Sequence, residues 1–472
     1  MAISRLAAGS RCSSNSMDVL NPAGPKSGTL DSKDSDMNDQ GGPKVREMNR
    51  YFESIIPILR EIHGIDDAAF WKMVLYWYVT DRIKSKGRLE GIHAVPYDHV
   101  VHKEMFRSDR KERLNRNAVD SIVDIAKISH RGQRHKFPVV VLYLTARYIV
   151  FKLMNRERGR SRRRVLETLS EQQADSWLKF ALLHMPTVLI EDLDFYASVK
   201  IDIEDPVDMR KIKNGFAVAY ASRKLKGRTT RLMQHGANYG ELKDHAGTCI
   251  ESRLPDEYFT WGWRYADNHV PGQSPRLESF AREYRQYSEN ETGNTVLVAL
   301  PVNRKDGFEE NFSRFLSLLR AKELTDSWQF SIRKKPRKIV AGEPVERDEE
   351  TLKSIGSEFS MDMGASSPRA IADARLVVVF DHPATMFLES IFVEKPTLAI
   401  ASTLGEYRQE YLPHVRFLLE CGILHQTVES LVERLEGVVE EPAKWWNEVK
   451  SSQGYAKYKA TYCGWVQADP AG

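Results

Sequence analysis

The sequence predicts an α/β protein whose carboxy-terminal third is a doubly wound parallel sheet. From residue 295 onward, short runs rich in Val, Leu and Ile alternate with amphipathic stretches, the pattern of strands covered by crossover helices. The 472-residue length exceeds one ordinary domain of about 150 residues, so two folded halves are expected. An apolar fraction of 42% and a mean hydropathy of -0.46 fit a soluble globular chain and argue against a polytopic membrane protein.

Taken in order, residues 1 to about 44 are rich in Ser, Gly, Asp and Asn and contain no aromatic residue, so a disordered tail is expected. Its first residues are basic without the apolar core of a secretory signal, and export is not expected. Ile55, Ile56, Leu59 and Ile62 recur at helical spacing, His63-Gly64 interrupts, and Phe70, Trp71, Val74 and Leu75 resume it, which predicts a helical hairpin. The longest apolar run, 137–153, contains Arg147 and Lys152 and falls short of the ~20 clean apolar residues of a spanning helix, so it reads as a core helix. Residues 186–190 read as a short strand, 231–234 as a strand delivering His235-Gly236 into a loop, and 258–263 as a half-buried strand. The polar stretch 271–294, with Gly272, Pro275 and Gly293, reads as an interdomain connection.

Strands are then predicted at 295–300, 328–332, 376–380 and 397–401, and helices at 307–319 and 384–393. The expected organisation is a tail at 1–44, an α/β domain at 45–285 with a helical insertion, a Rossmann-like domain at 290–450, and a tail or crossover helix at 451–472. Four scattered cysteines without CxxC spacing suggest neither a zinc site nor a disulfide framework, and fit a reducing cytoplasm. Basic residues bunch between Lys103 and Arg164 and end in Arg156, Arg158, Arg160, Arg162, Arg163 and Arg164. Such a run is either a solvated face or a contact for an anionic membrane. No nucleic-acid module accompanies it, so a nucleic-acid partner is not expected.

Three constellations carry chemistry. In Gln234-His235-Gly236-Ala237-Asn238-Tyr239-Gly240-Glu241, the glycines permit tight turns and close approach to a ligand, while His235 and Glu241 could exchange protons. In the stretch from Asp381 to Glu389 a strand ends in a turn that opens a helix; Asp381 or Thr385 could cap it, its free N–H groups suit a phosphate, and Glu389 could accept ribose hydroxyls. Arg333, Lys334, Lys335, Arg337 and Lys338 form a basic loop after a predicted strand, suited to a diphosphate or an acidic sugar. Asp192-Leu193-Asp194 could hold a divalent cation, though one such pair is common by chance, and no metal site is assigned. No P-loop, GxGxxG turn or nucleophile elbow occurs, which leaves kinase, dehydrogenase and hydrolase readings without their usual mechanics.

Ile62-His63-Gly64 with Phe70-Trp71, Gln234-His235-Gly236 with Tyr239-Gly240, Thr260-Trp261-Gly262-Trp263, and Thr385 with Phe387-Leu388-Glu389 before Lys395-Pro396-Thr397 jointly resemble a family of transferases associated with bacterial O-antigen and surface-polysaccharide gene clusters. The chain is more distantly similar to CDP-glycerol glycerophosphotransferases and capsule Kdo transferases. Ala237-Asn238 stands where the family more often has further glycines, and the His382-Pro383 pair is a departure. The resemblance implies a GT-B-like α/β architecture, two Rossmann-like domains facing a cleft, with extra amino-terminal helices.

It also implies a glycosyltransferase that moves a sugar from a nucleotide-sugar donor to a lipid-linked or growing surface polysaccharide, in the cytoplasm at the inner face of the membrane. Arg333, Lys335, Asp381 and Thr385 are the expected donor-phosphate contacts and Glu389 the ribose contact. His235 or Glu241 is the expected catalytic group, with Gln234, Gly236, Tyr239 and Gly240 lining the cleft. No tightly bound cofactor is expected, and a divalent metal is left open. Arg156 to Arg164 are the expected peripheral membrane contact. The alternatives are transfer of a polyol phosphate or of an acidic sugar from a CMP donor, and a non-catalytic scaffold docked at a membrane.

Overall fold

The computed structural model describes residues 42–90, 121–127, 137–183, 185–201, 203–287, 294–301, 307–333, 358–362, 366–380, 382–401 and 403–464. Helix α1 (Pro43–His63) and helix α2 (Ala68–Glu90) form the predicted hairpin. The α1 stripe Met48, Phe52, Ile55 and Leu59 is buried because 3.6-residue spacing puts it on one face. Gly64 ends the helix in the left-handed conformation, φ 69, where a side chain would be strained, and returns its N–H to the Arg60 carbonyl. Pro43 and Lys44 are helical although the composition placed them in the tail; residues 1–41 lie outside the described residues.

Helix α3 (Phe137–Met154) is not the core helix its composition suggested. It packs Leu144, Tyr148 and Phe151 inward, the last two against Phe195, and leaves Leu142, Tyr143, Ile149 and Leu153 exposed. A run apolar on both faces does not announce which face the protein covers. Helix α4 (Arg156–Glu171) follows after a bend of 70°. No single described helix is long and apolar enough to cross a membrane; α3 and α4 meet the length and composition test only as a bent pair.

Residues 186–190 are a further correction: Pro186 opens a helical turn, Thr187–Ile190, rather than a strand. Proline pre-sets the helical entry and overrides the β preference of Val188 and Ile190. Asp192 accepts from Tyr148 and Lys152, and Asp194 pairs with Arg158 and Arg162, so both carboxylates of the DxD pair are engaged by protein groups.

Two parallel sheets follow. The first runs β1 (Val207–Asp208), β2 (Arg231–Met233), β3 (Glu257–Thr260) and β4 (His269–Pro271), in that spatial order. Within the expected connection, 271–294, lies helix α5 (Pro275–Arg285), because Ser274 accepts from the Leu277 N–H and Pro275 sits in the first turn. Ser274 and Pro275 mark a helix start inside the segment that joins β4 to the second sheet.

The second sheet contains β5 (Thr295–Ala299), β6 (Gln329–Arg333), β7 (Phe359–Asp362), β8 (Leu376–Phe380), β9 (Thr397–Ile400) and β10 (Leu424–His425). Its spatial order is β7-β6-β5-β8-β9-β10, all parallel, which is the dinucleotide-fold order with its direction reversing between β5 and β8. Every residue of β8 is buried, and Phe308, Phe312 and Phe315 of helix α6 (Phe308–Ala321) pack their rings on Phe380. Helix α7 (Thr385–Phe392) starts just past that reversal point. The last described helix, α8 (Gln453–Tyr462), crosses back to the first sheet, where the Tyr462 hydroxyl meets that of Tyr265 at 2.7 Å. Amino-terminal helices and two parallel α/β layers together make a GT-B-like plan.

Candidate functional site

The carboxyl edge of the first sheet supplies one wall. Asp208 closes β1 and is bound in fork fashion by Arg210, Nε donating to Oδ1 at 3.1 Å and Nη2 to Oδ2 at 2.5 Å. Burial acts to raise the Asp208 carboxyl, but the hydrogen bonds and charge of Arg210 outweigh it and hold the group below its ordinary value. The loop after β2 is pinned by Gln234, which accepts from the Trp261 N–H at 3.0 Å and the Trp263 indole at 2.8 Å. Gln234 is therefore a buried strut beneath the cleft rather than part of its lining.

Tight backbone geometry aims this loop. Gly240 has φ 76, and a Cβ there would lie 2.8 Å from the Trp263 ring. Asn238 takes the left-handed conformation at φ 78, which Asn tolerates better than most residues, so it stands in for an additional glycine. Gly236 serves close approach instead: a Cβ at that position would sit 3.3 Å from Thr385 Oγ1.

His235 Nδ1 lies 2.8 Å from the Tyr239 hydroxyl and 3.9 Å from Asp208 Oδ1. Tyr239 in turn donates to Glu251 at 2.9 Å, and Tyr258 donates to the other Glu251 oxygen at 3.0 Å. The direction of the His235–Tyr239 hydrogen bond follows the imidazole tautomer, and in the tautomer with its proton on Nδ1 the ring acceptor is Nε2. Burial first, then the positive Arg210 and Arg276, push the His235 imidazole down to about 4, so it is neutral at pH 7. Glu251 is pushed up to about 8 by burial.

The second wall comes from the opposing layer. The Ala237 N–H donates to Thr385 Oγ1 at 3.2 Å, which fixes the histidine loop against the start of α7. Thr385 therefore does not cap its own helix; Ala384 is the N-cap residue and provides no side-chain hydrogen bond. Arg276, in the first turn of α5, reaches Glu389 Oε1 at 3.0 Å and the His235 carbonyl at 3.5 Å. Further backbone bonds, Arg408 N–H to Glu241 O at 2.9 Å and Lys243 N–H to Glu406 O at 2.9 Å, hold the two layers together.

The fold thus gathers His235, Gly236, Tyr239, Thr385 and Glu389 where the carboxyl edges of two sheets meet. Gly240 turns the same loop, whereas Glu241 and Arg333 are held away from the site. Glu241 has no exposed surface; its carboxyl accepts from the Asn238 N–H at 3.0 Å with Tyr411 and Tyr458 beside it, and burial pushes it up to about 8. A carboxyl sealed behind the loop cannot meet a substrate hydroxyl, so Glu241 supports the loop instead of reacting. Arg333 ends β6, two strands from β8, buried and bound to Asp362. Lys335 and Asp381 lie outside the described residues. Among the described residues no cluster of three or more His, Cys, Asp or Glu side chains could hold a metal ion.

The family model described as LIC12162 family transferase matches residues 185–470, a span that contains both sheets and every side chain of this site. The chain belongs to the LIC12162 transferase family. A search among curated proteins returns no match. Among solved structures, the α,α-trehalose 6-phosphate synthase of Burkholderia multivorans is similar at 12% identity, over 65% of this chain and 74% of that one, with a TM-score of 0.38. WaaG, a glycosyltransferase involved in lipopolysaccharide biosynthesis, is similar at 13% identity over 53% and 68%, with a TM-score of 0.27.

Asp208, Arg210, Glu251 and Arg276 join this candidate site without having been predicted from the sequence. Arg276 had a readable signal. An arginine in the first turn of a helix opposes the positive end of the helix dipole, and such a local violation marks a residue held there for another purpose. Asp208 and Glu251 had none, because only the fold brings them to His235.

Proposed function

We propose that this transferase is a glycosyltransferase that takes a sugar from a nucleotide-sugar donor and passes it to a lipid-linked or growing surface glycan. The observation that carries the reading is the seam at Thr385, where the start of a helix at the reversal point of a dinucleotide-type sheet lies against the histidine loop of the other sheet. At such a point the first-turn N–H groups of α7 offer an anion site, and Arg276 stands beside it with 39% of its side chain exposed. Glycosyl transfer needs charge neutralised on the departing diphosphate, and these groups can do that without a protein nucleophile. Glu389 positions Arg276 through their ion pair, in place of the ribose contact expected from the sequence. The donor leaves its diphosphate at the α7 end, and the acceptor hydroxyl approaches from the His235 side, where Nε2 can accept its proton.

Diphosphate binding next to Arg210 and Arg276 offsets the two positive charges that depress His235, and so makes the imidazole a better base when donor is present. The test is titration calorimetry of the full chain with UDP, GDP, CDP and CMP. Binding of one nucleoside diphosphate, weakened in Arg276→Ala, is the expected result. Failure of all four to bind, or binding indifferent to Arg276, refutes the donor assignment.

A further inference from the structure

The α3–α4 pair gives the molecule an outer face that the transfer reaction does not explain. Along α3, Val139, Leu142, Tyr143, Ile149, Val150 and Leu153 are exposed, Leu142 at 72% and Leu153 at 75%. Their spacing places them in one stripe along the outside of the helix, opposite buried Leu144. Soluble surfaces scatter such residues singly and do not align them over several turns. Where the stripe ends, the charge begins. Arg156, Arg160 and Arg164 are exposed at four-residue spacing on α4 and pair with no carboxylate among the described residues, whereas Arg158 and Arg162 are tied to Asp194 and Arg163 to Glu191.

We propose that this face docks on an anionic phospholipid bilayer, with α3 lying in the plane of the interface and Arg156, Arg160 and Arg164 meeting headgroup phosphates. An in-plane amphipathic helix beside a basic cluster combines the two forces that hold proteins to such surfaces: burial of apolar side chains at the acyl boundary, and attraction of cations to the negative leaflet. Spanning is disfavoured, because crossing as the bent pair would carry six arginines of α4 into hydrocarbon. The docking face shares no residue with the donor site, so the two readings fail separately.

The experiment is co-sedimentation of the full chain with phosphatidylcholine vesicles, with and without phosphatidylglycerol. Binding only to the phosphatidylglycerol vesicles, reversed by salt, is expected. Leu142→Glu with Ile149→Glu and Leu153→Glu should abolish it, and Arg156→Gln with Arg160→Gln and Arg164→Gln should weaken partitioning on the order of a hundredfold. These side chains are exposed, and circular dichroism together with unchanged nucleotide binding checks that both variants fold. The proposal is overturned by absence of wild-type binding, by variants that bind as the wild type does, by resistance of the bound chain to alkaline extraction, or by a solution dimer that the α3 substitutions dissociate.

Discussion

Replacing Glu241 by glutamine should flatten the fall of stability with rising pH. Glu241 is fully buried, and its carboxyl is pushed up to about 8 from an ordinary 4.5 by burial. A group whose folded value is raised contributes stability that is complete below the unfolded value and is lost as pH rises through the folded one. At about 1.4 kcal/mol per pH unit, the cost of keeping this carboxyl protonated grows from about 1 kcal/mol at pH 5 to about 3 kcal/mol at pH 7. Glutamine keeps the shape and carries no proton to lose. Glu251 titrates in the same window, and His235, His245 and His269, all pushed down by burial, titrate in the opposite sense. Those contributions are common to wild type and variant and cancel in their difference. Urea unfolding of both proteins at pH 5, 6 and 7 should therefore show the Glu241→Gln variant gaining about 2 kcal/mol on the wild type across the series. Equal slopes would refute the placement of a neutral carboxyl at Glu241.

Three other outcomes follow from the site. His235→Gln should lower turnover by about 10²- to 10⁴-fold while leaving nucleotide affinity within a factor of a few, read by steady-state kinetics beside calorimetry. Arg276→Ala removes a charge-assisted partner from the donor phosphates and should weaken nucleoside-diphosphate binding by roughly tenfold to a hundredfold, with a smaller loss for a nucleoside monophosphate. Gly240→Ala introduces a Cβ 2.8 Å from the Trp263 ring at φ 76, and should destabilise the fold by about 1–3 kcal/mol on thermal unfolding. An alanine that leaves the melting temperature unchanged would show that the loop after β2 is not held as described.

Local patterns carried most of the second sheet. Buried parallel strands such as Leu376–Phe380 are continuous apolar runs, and the amphipathic stripe of Phe308–Ala321 shows which side it covers, so both were legible within a residue or two. The first sheet was harder, since strands of two to four residues leave almost no periodicity. Its loop was readable through Gly236 and Gly240, whose backbone demands are local. Partners distant in the chain were not. Arg276 meets Glu389 across 113 residues, a pairing that no local pattern announces. Arg333 was misplaced for the same reason: a basic residue at a strand end reads as a phosphate contact until the neighbouring strand supplies Asp362. The outer face of α3 was hidden because composition does not distinguish a helix covered by protein from one left open.

On the proposed function, a nucleoside diphosphate lies between the start of α7 and the His235 loop. A crystal structure of the complex with whichever nucleotide binds in calorimetry tests it most directly. Diphosphate oxygens are expected within hydrogen-bond distance of the first-turn N–H groups of Thr385–Phe392 and of the Arg276 guanidinium, with His235 facing the position of the sugar. A diphosphate bound elsewhere, with Arg276 still closed on Glu389 alone, would contradict it.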